Sequence, residues 1–261
     1  MNFQEVESVK QSLELGSHRL IDFLPYLYQD FSELGTNTGY MMELVDELQK
    51  TELGKRVLDL CCGKGVTLIN LAKQYGWQGI GVDVVEDFIE QAKIDAHSKR
   101  VHNQTEFIRQ NIADFLKHNT ELFDVIVFPA STDVLGDITE SLNILSENLN
   151  DDGFVLVESD YKSHSFNIGS GLELSKNIDD LIAASKLHSA RKIVWEQSII
   201  IDIYRRDTQR LTKRVNELKR KQPELRRELD LFIEHRNEHL QHYVDNEIAR
   251  SSWLLTKHLK F

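Results

Sequence analysis

The chain has 261 residues, 41% of them hydrophobic and 28% charged, so it can bury an ordinary core and is not compositionally disordered. Two cysteines exclude a disulfide framework, and no apolar run approaches the ~20 residues of a membrane span. Because the N-terminus also lacks the basic-then-apolar order of a signal peptide, we expect a soluble cytoplasmic protein without a membrane partner.

Charge is distributed unevenly along the chain. The formal net charge is -11, which disfavours broad, nonspecific binding of nucleic acid. Residues 201–261, however, hold 14 Lys and Arg against 10 Asp and Glu, whereas the rest of the chain holds 17 against 32. A solvated helix surface explains this basic region, and guidance of an anionic substrate or RNA is the alternative.

The predicted elements begin with two helices, 3–15 and 38–50, on either side of an aromatic stretch broken by Pro25. Short apolar strands then alternate with amphipathic helices. The predicted strands are 56–61, 79–84, 106–112, 123–129, 151–159 and 191–201, and the helices between them include 66–75, 86–100, 137–149 and 178–187. This rhythm predicts an α/β fold with a doubly wound, mostly parallel sheet and helices on both faces.

After residue 201 the pattern changes to long, charged helices. Pro223 suits the first turn of the second helix, and 251–261 is typical of a terminal strand. The helical pair is therefore predicted as an insertion before the seventh and last strand of the sheet, packed over one end of it.

The first predicted strand runs into VLDLCCGKGVT (57–67), a glycine-containing turn followed by a helix. Glycine lets the backbone approach a ligand closely, and the start of a helix offers free N–H groups. Asp83 ends the next strand, where a carboxylate can accept both hydroxyls of a ribose. Both features fall beyond the carboxyl ends of the strands, where open α/β sheets bind their ligands.

The loop does not fit a dinucleotide. The G-x-G-x-x-G fingerprint fails at Leu68, where the third glycine would stand. Asp59, just before the loop, would repel a pyrophosphate but suits a cationic or amino-acid-bearing ligand. S-adenosylmethionine has a ribose, a sulfonium and an amino acid but no phosphate, so it fits these residues better than NAD.

Five motifs in this order and spacing resemble those of class I S-adenosylmethionine-dependent methyltransferases. The motifs are VLDLCCGKGVT (57–67), GIGVDVVEDFIEQAK (79–93), FIRQNIADF (107–115), FDVIVFPA (123–130) and LNDDGFVLVESD (149–160). The resemblance covers residues 40–200. It implies a Rossmann-like core, S-adenosylmethionine as the cofactor and methyl transfer as the activity.

The same resemblance implies which residues contact the cofactor. Those implied are Asp59, Cys61, Gly63 and Gly65 under the methionine part, Asp83 at the ribose, Val84, Asn111 and Ile112 beside the adenine, and Phe128 and Pro129 near the methyl group. The chain departs from the family at Cys61, where glycine is usual, and at Asn111, where aspartate is frequent.

The ends of the chain resemble those of small-molecule members of the family. GSHRLIDF (16–23) is similar to a helical lid, and the C-terminal helices are similar to a substrate cap. We therefore expect a lid segment 1–39, a core 40–201, a helical cap insertion 202–249 and a terminal strand 250–261. FPAS (128–131) replaces the NPPY-like motif of adenine-N6 and glutamine methyltransferases, which disfavours those substrates.

Polar and aromatic side chains near the ligand end of the sheet, in the lid and in the cap are candidates for the acceptor site. The candidates for substrate contact are Tyr26, Tyr28, Asp160, Tyr161 and Tyr204, and those for a general base are His18 and Glu158. A base is needed only if the acceptor arrives protonated. Ordinary packing or surface placement explains each of these residues equally well.

The cysteines and a histidine stripe offer other chemistry. Cys61 and Cys62 are adjacent and too few for a zinc site, so we interpret them as small residues of the turn. A lowered pKa of the Cys62 thiol, caused by the start of the helix, stays open.

His235, His239 and His242 share one helix face without the H-E-x-x-H order. A substrate-facing or surface stripe is favoured over a metal site.

Two other functions stay open. An RNA methyltransferase would use the basic helices of 203–227, and it predicts steeply salt-dependent RNA binding. A non-catalytic S-adenosylmethionine-binding module would use the helices as an interaction surface, for example in a homodimer, and it predicts cofactor binding without turnover.

Overall fold

The structure is a computed structural model, and it describes residues 1–46, 55–129, 134–162 and 178–258. Parts of three sequence predictions lie outside the described residues. They are the end of the helix 38–50, the second half of FPAS (128–131) and the last three residues of the terminal strand.

Strands and helices alternate along the chain. The strands are β1 Arg56–Leu60, β2 Gln78–Asp83, β3 Thr105–Arg109, β4 Phe123–Pro129, β5 Leu149–Lys162, β6 His188–Val194 and β7 Ile248–Thr256. The α-helices are α1 Phe3–Ser12, α2 Leu24–Leu27, α3 Thr38–Asp46, α4 Val66–Tyr75, α5 Glu86–Ser98, α6 Ile112–His118, α7 Ile138–Glu147, α8 Ile178–Ala183, α9 Gln197–Lys221 and α10 Arg226–Val244. The described residues also include 3-10 helices at His18–Phe23 and Pro223–Leu225.

The strands form one seven-stranded sheet in the order β3-β2-β1-β4-β5-β7-β6. The pairs β1–β2, β1–β4, β2–β3 and β4–β5 are all parallel. The topology reverses between β1 and β4, which is where an α/β sheet opens a crevice for a ligand. The predicted α/β fold, with a helical insertion before the seventh strand, is confirmed.

The core around the sheet explains why these segments fold as they do. β1 is buried from Val57 to Leu60, as expected for a central strand covered on both faces. α3, α4 and α5 contribute apolar side chains to the same core. Its members include Met41, Leu44, Val57, Leu68, Leu71, Ile89, Val127 and Leu254.

The described chain forms two compact units. The helical unit comprises residues 1–31, 160–162 and 194–250, and it contains α1, α2, α9 and α10. The sheet unit comprises 32–46, 55–129, 134–159, 178–193 and 251–258. Across the described parts of both units, none of the helices combines the length and the apolarity needed to span a membrane.

Two predicted strands are wrong at their ends. The strand predicted at 191–201 stops at Val194, and α9 begins at Gln197. The strand predicted at 106–112 stops at Arg109, because the Asn111 side chain accepts the Ala113 N–H (2.9 Å) and so caps α6.

Gly79 of β2 lies where a side chain has no room. A Cβ there would come within 2.5 Å of the Val57 carbonyl oxygen and 2.7 Å of Leu68 Cδ1. We expect Gly79→Ala to lower the free energy of unfolding by about 3 kcal/mol, because a backbone neighbour in the central sheet cannot move aside. Gly76→Ala is the matched control, since its Cβ meets nothing within 4 Å and only its left-handed backbone costs about 1 kcal/mol. Urea denaturation measures both, and equal losses would contradict the expectation.

Candidate functional site

The loop between β1 and α4 turns sharply through left-handed residues. Cys61, Gly63 and Gly65 have φ angles of 53°, 52° and 71°. The Gly65 N–H donates to the Cys62 carbonyl (2.8 Å), which closes the turn. A Cβ at Gly65 would overlap the Phe107 ring, so both the backbone conformation and the space require glycine there.

Asp83, at the end of β2, holds this loop in place. Its Oδ2 accepts the N–H of Gly63 (2.8 Å), and its Oδ1 accepts the N–H of Val85 (2.9 Å). Burial raises the pKa of the Asp83 carboxyl, and the N–H donors partly offset this effect. A carboxylate offers roughly four acceptor positions, so these two bonds leave capacity for ligand hydroxyls.

Asp59 is the second buried acid at this end of the sheet, and it precedes Leu60, the last residue of β1. Burial raises its pKa to about 7; the charge of Asp83 adds to the shift, and the hydrogen bond from the Leu68 N–H opposes it. That N–H lies 3.3 Å from Oδ2. A buried acid with this pKa ionises readily beside a positive ligand group.

The other residues predicted for the cofactor lie beside these two acids. Val84 follows Asp83, Asn111 and Ile112 open α6 beyond β3, and Phe128 and Pro129 end β4. Because the carboxyl ends of parallel strands share one edge of a sheet, the structure brings all the predicted cofactor residues to that edge. Their individual contacts with a ligand stay predictions.

A segment before α3 packs on the loop. A Cβ at Gly63 would lie 3.0 Å from Leu34 Cδ1, so the Leu34 side chain covers that glycine. The buried hydroxyls of Thr38 and Thr67 lie 3.2 Å apart, which joins the first residue of α3 to the second residue of α4. Residues 34–38 therefore form a cover over the loop, which we call the cover segment.

Glu158 binds this cover segment from the end of β5. It is 5% exposed and pairs in register with Pro129. Its Oε2 accepts the Asn37 N–H (3.2 Å) and the Ser252 hydroxyl (3.2 Å). Because the Asn37 side chain accepts the Tyr40 N–H (3.2 Å), Glu158 fixes the residue that caps α3.

The other candidate base, His18, belongs to the helical unit. Its side chain is 46% exposed, pairs with Glu7 and lies 3.3 Å from the Lys10 amine. His18 and Glu158 belong to different units, so neither unit by itself brings the two candidate bases together.

Two of the candidate acceptor residues hold the N-terminal part of the helical unit together. The Tyr26 hydroxyl donates to Glu217 (2.7 Å), and the Lys221 amine lies 4.6 Å from the Tyr26 ring centre. Tyr28 is buried and donates to the Leu13 carbonyl (3.3 Å). Burial raises the pKa of Tyr28 to about 12, so it stays a neutral donor.

Two others, Tyr204 and Asp160, belong to a charged cluster around His239. Glu14 accepts from the Tyr204 hydroxyl (2.6 Å), pairs with Arg236 (3.2 Å) and pairs with His239. Burial alone would raise the pKa of Glu14, but the hydrogen bond and charge of His239, with help from Arg236, lower it to about 2.

Asp160 occupies the other side of His239. It binds Arg250 through two bonds of 2.5 and 2.8 Å and lies 4.0 Å from His239 Nε2. Although burial opposes the shift, the Arg250 charge lowers the pKa of Asp160. Tyr161 follows in β5 and is partly buried.

The three histidines predicted to share one helix face contact different neighbours. His239 joins the cluster described above, His242 pairs with Glu247 (2.6 Å), and the His235 ring lies beside Gly16. Within the described ranges, no group of three or more His, Cys, Asp or Glu side chains is arranged so that it could hold a metal ion. Sequence reasoning missed Glu14 as the partner of His239, and Arg236 and Arg250 as the partners of Glu14 and Asp160, because these pairs join distant segments.

The two thiols are poor nucleophiles. Burial raises the pKa of Cys61 and of Cys62, and the nearby charges of Asp59 and Asp83 raise both further. Both thiols stay protonated near neutral pH. The lowered pKa considered for Cys62 is therefore wrong.

Replacement of each cysteine by glycine should give different results. Cys61 has the left-handed backbone that costs a non-glycine residue about 1–2 kcal/mol, whereas Cys62 lies outside that region and packs on the core. We expect Cys61→Gly to leave the free energy of unfolding unchanged or raise it by up to about 1 kcal/mol. Cys62→Gly should lower it by about 1–2 kcal/mol. Thermal unfolding compares the two, and a larger loss in Cys61→Gly would contradict the assignment.

Comparison with known proteins points to one chemistry. A family model described as "Methyltransferase domain" matches residues 51–219. A demethylmenaquinone methyltransferase of Lactobacillus johnsonii is 29% identical over 124 residues, which are 47% of this chain and 50% of that protein. A 23S rRNA (uracil(1939)-C(5))-methyltransferase, RlmD of Neisseria lactamica, is 26% identical over 124 residues, 46% of this chain and 27% of that protein. The chain therefore spans half or less of these curated relatives.

A solved structure shares the fold over most of its length. It is a SAM-dependent methyltransferase from Geobacter sulfurreducens in complex with S-adenosyl-L-homocysteine. The TM-score is 0.75, the sequence identity is 18%, and the match covers 90% of this chain and 97% of that one.

Proposed function

The chain belongs to the class I S-adenosylmethionine-dependent methyltransferases, and we propose that it methylates a small-molecule acceptor. S-adenosylmethionine supplies an electrophilic methyl group on a sulfonium, which passes to the acceptor by in-line displacement. The observation that carries the choice of a small acceptor is the cover segment 34–38, which packs on the cofactor loop within the same unit. A site covered by its own chain suits an acceptor small enough to be enclosed.

The sheet edge fits the adenosine part of this cofactor. Asp83 has acceptor capacity left after its bonds to Gly63 and Val85, and we assign it to the ribose hydroxyls. We assign Val84, Asn111 and Ile112 to the adenine. Val84 follows the end of β2 and the other two follow the end of β3, and these two strands are neighbours in the sheet.

The loop fits the methionine part. Asp59 is a buried acid whose pKa stays raised despite the hydrogen bond from the Leu68 N–H, so a nearby cation would stabilise its charged form, and the amino and sulfonium groups supply one. The left-handed turn at Cys61, Gly63 and Gly65 brings the backbone close to the ligand. We assign Phe128 and Pro129, at the end of β4, to the surroundings of the methyl group.

Positioning and exclusion of water supply most of the proposed rate enhancement. We assign Glu158 a positioning role, because its buried carboxylate accepts hydrogen bonds from Asn37 and Ser252. His18 stays the candidate base for an acceptor that arrives protonated. Tyr26, Tyr28, Asp160, Tyr161 and Tyr204 stay proposed acceptor contacts.

The assignment of Asp59 predicts proton release on cofactor binding. At pH 6 the free Asp59 carboxyl is mostly protonated, since its pKa is about 7. A positive amino group beside it favours the carboxylate, so binding of S-adenosylhomocysteine should release up to about one proton. Calorimetry in two buffers with different ionisation enthalpies counts the protons.

Two controls isolate this effect. Methylthioadenosine keeps the adenosine part but lacks the amino acid, so it should release far fewer protons. Asp59→Asn keeps the acceptor oxygen for the Leu68 N–H and should abolish the release with S-adenosylhomocysteine. Undiminished proton release in Asp59→Asn would remove Asp59 from the methionine site.

The second candidate function is methylation of RNA. α9 carries eight basic and three acidic side chains, which favours an anionic partner. The Neisseria lactamica relative is named as an rRNA methyltransferase, which keeps this acceptor class open.

A labelling experiment separates the two acceptor classes. The protein is incubated with methyl-labelled S-adenosylmethionine and either the small-molecule fraction or the RNA of cells that produce it. We expect label in the small-molecule fraction, with little dependence on salt. Label in RNA, lost steeply as salt rises, would replace our proposal with the RNA reading. Cofactor binding without label in either fraction would instead support a non-catalytic module.

A further inference from the structure

Ser252 lies in the terminal strand β7, far along the sequence from the residues assigned to the cofactor. It is fully buried and, like Glu158, belongs to the sheet unit. Its hydroxyl donates to Glu158 Oε2 (3.2 Å), which is the same oxygen that accepts the Asn37 N–H. One carboxylate oxygen therefore joins β7 to the cover segment.

The pairing of β5 with β7 places Ser252 beside Glu158. The two strands are neighbours in the sheet. A second pair of side chains lies two residues away on each strand, where Arg250 binds Asp160 through two hydrogen bonds. Because alternate residues of a strand share a face, both pairs lie on one face of the sheet, and Ser251 points to the other face.

The donor from Ser252 matters because Glu158 is a buried acid. Only 5% of Glu158 is exposed, so its charged form depends on hydrogen bonds within the protein. Hydrogen bonds to a charged oxygen are about twice as strong as those to a neutral one. Removal of the Ser252 hydroxyl would disfavour the charged form of Glu158, and the hydrogen bond from Asn37 would weaken with it.

The cover segment carries this effect to the cofactor loop. Leu34 covers Gly63, and the Thr38 hydroxyl lies 3.2 Å from the hydroxyl of Thr67 at the start of α4. Asn37 lies between these two contacts along the chain. The hydrogen bond from its N–H therefore fixes the cover segment at a third point.

We propose that Ser252 is a positioning residue for the methionine part of the cofactor, acting through Glu158 and the cover segment. This role rests on the proposed cofactor site and is independent of the methyl acceptor. The cover segment packs on the loop assigned to the methionine part, whereas the ribose is assigned to Asp83. Loss of the Ser252 hydroxyl should therefore affect the two parts of the cofactor differently.

Calorimetry of Ser252→Ala with two ligands tests this role. We expect S-adenosylhomocysteine to bind roughly fivefold more weakly, within the effect of one ordinary hydrogen bond. Methylthioadenosine lacks the amino acid, so its affinity should stay within about twofold of the wild type. Equal weakening of both ligands would indicate a general structural loss, and no weakening of either would remove Ser252 from the site. Both results would overturn the proposal.

Ser251→Ala is the matched control. It removes the same atom from an equally buried neighbour on the other face of β7. Its affinity for S-adenosylhomocysteine should stay within about twofold of the wild type. Equal weakening in Ser251→Ala and Ser252→Ala would contradict the assignment.

A double substitution shows whether Glu158 carries the effect. Glu158→Met keeps the length of the side chain but offers no acceptor to Ser252 or Asn37, so it should weaken S-adenosylhomocysteine at least as much as Ser252→Ala. Addition of Ser252→Ala to Glu158→Met should then change the affinity less than about twofold further. Additive losses would mean that Ser252 acts by another route, against the proposal.

Amide hydrogen exchange at Asn37 gives a direct readout without a substitution at Glu158. In the complex with S-adenosylhomocysteine, the Asn37 N–H should exchange several-fold faster in Ser252→Ala than in the wild type or in Ser251→Ala, because its acceptor is weakened. Unchanged exchange would contradict the proposal.

Asp83→Ala separates the role of Ser252 from the cofactor site itself. If Asp83→Ala binds S-adenosylhomocysteine weakly while Ser252→Ala binds like the wild type, the cofactor site stands and only the role of Ser252 fails. If Asp83→Ala binds like the wild type, the cofactor site fails and the role of Ser252 fails with it. We expect both variants to bind more weakly, with Asp83→Ala the weaker of the two.

Discussion

The hydrogen bonds from the Gly63 and Val85 N–H groups to the Asp83 carboxylate organise the ligand edge of the sheet. They tie the end of β2 to the loop that leaves β1, so the two strands present one continuous backbone surface. Asp59, near the end of β1, accepts the Leu68 N–H and so ties this strand to the start of α4. The cover segment then packs on a loop that is already fixed, and Glu158 holds the cover segment in turn.

Buried acids in the two units have opposite environments. Glu14 and Asp160 of the helical unit face His239, Arg236 and Arg250, and their pKa values fall. Asp59 and Asp83 of the sheet unit accept hydrogen bonds from backbone N–H groups, and burial raises their pKa values. A paired charge is satisfied within the protein, whereas an unpaired buried acid gains most from an external cation or donor. This contrast distinguishes a structural cluster from a ligand site.

Much of the sheet unit could be predicted from the sequence, because its signals are local. Apolar runs bounded by glycine and charged residues located β1, β2 and β4, and the helix 66–75 has the predicted bounds. The start of α9 was mispredicted because the apolar run 199–201 suits a strand and a helix equally well. β3 is shorter than the sequence predicts because Asn111 caps α6, and the apolar Ile112 that suits a strand is the first residue of that helix. The cluster around His239 could not be predicted, since Glu14 and Arg236 are far apart in sequence and pair only in the folded helical unit.

The affinity of S-adenosylhomocysteine for Asp83→Ala, measured by calorimetry against the wild type, tests the central claim most directly. If Asp83 both holds the loop and accepts the ribose hydroxyls, the folded variant should bind at least about a hundredfold more weakly, as expected for the loss of two hydrogen bonds to a charged group. Wild-type affinity in a folded Asp83→Ala variant would contradict the account and move the cofactor away from this edge of the sheet.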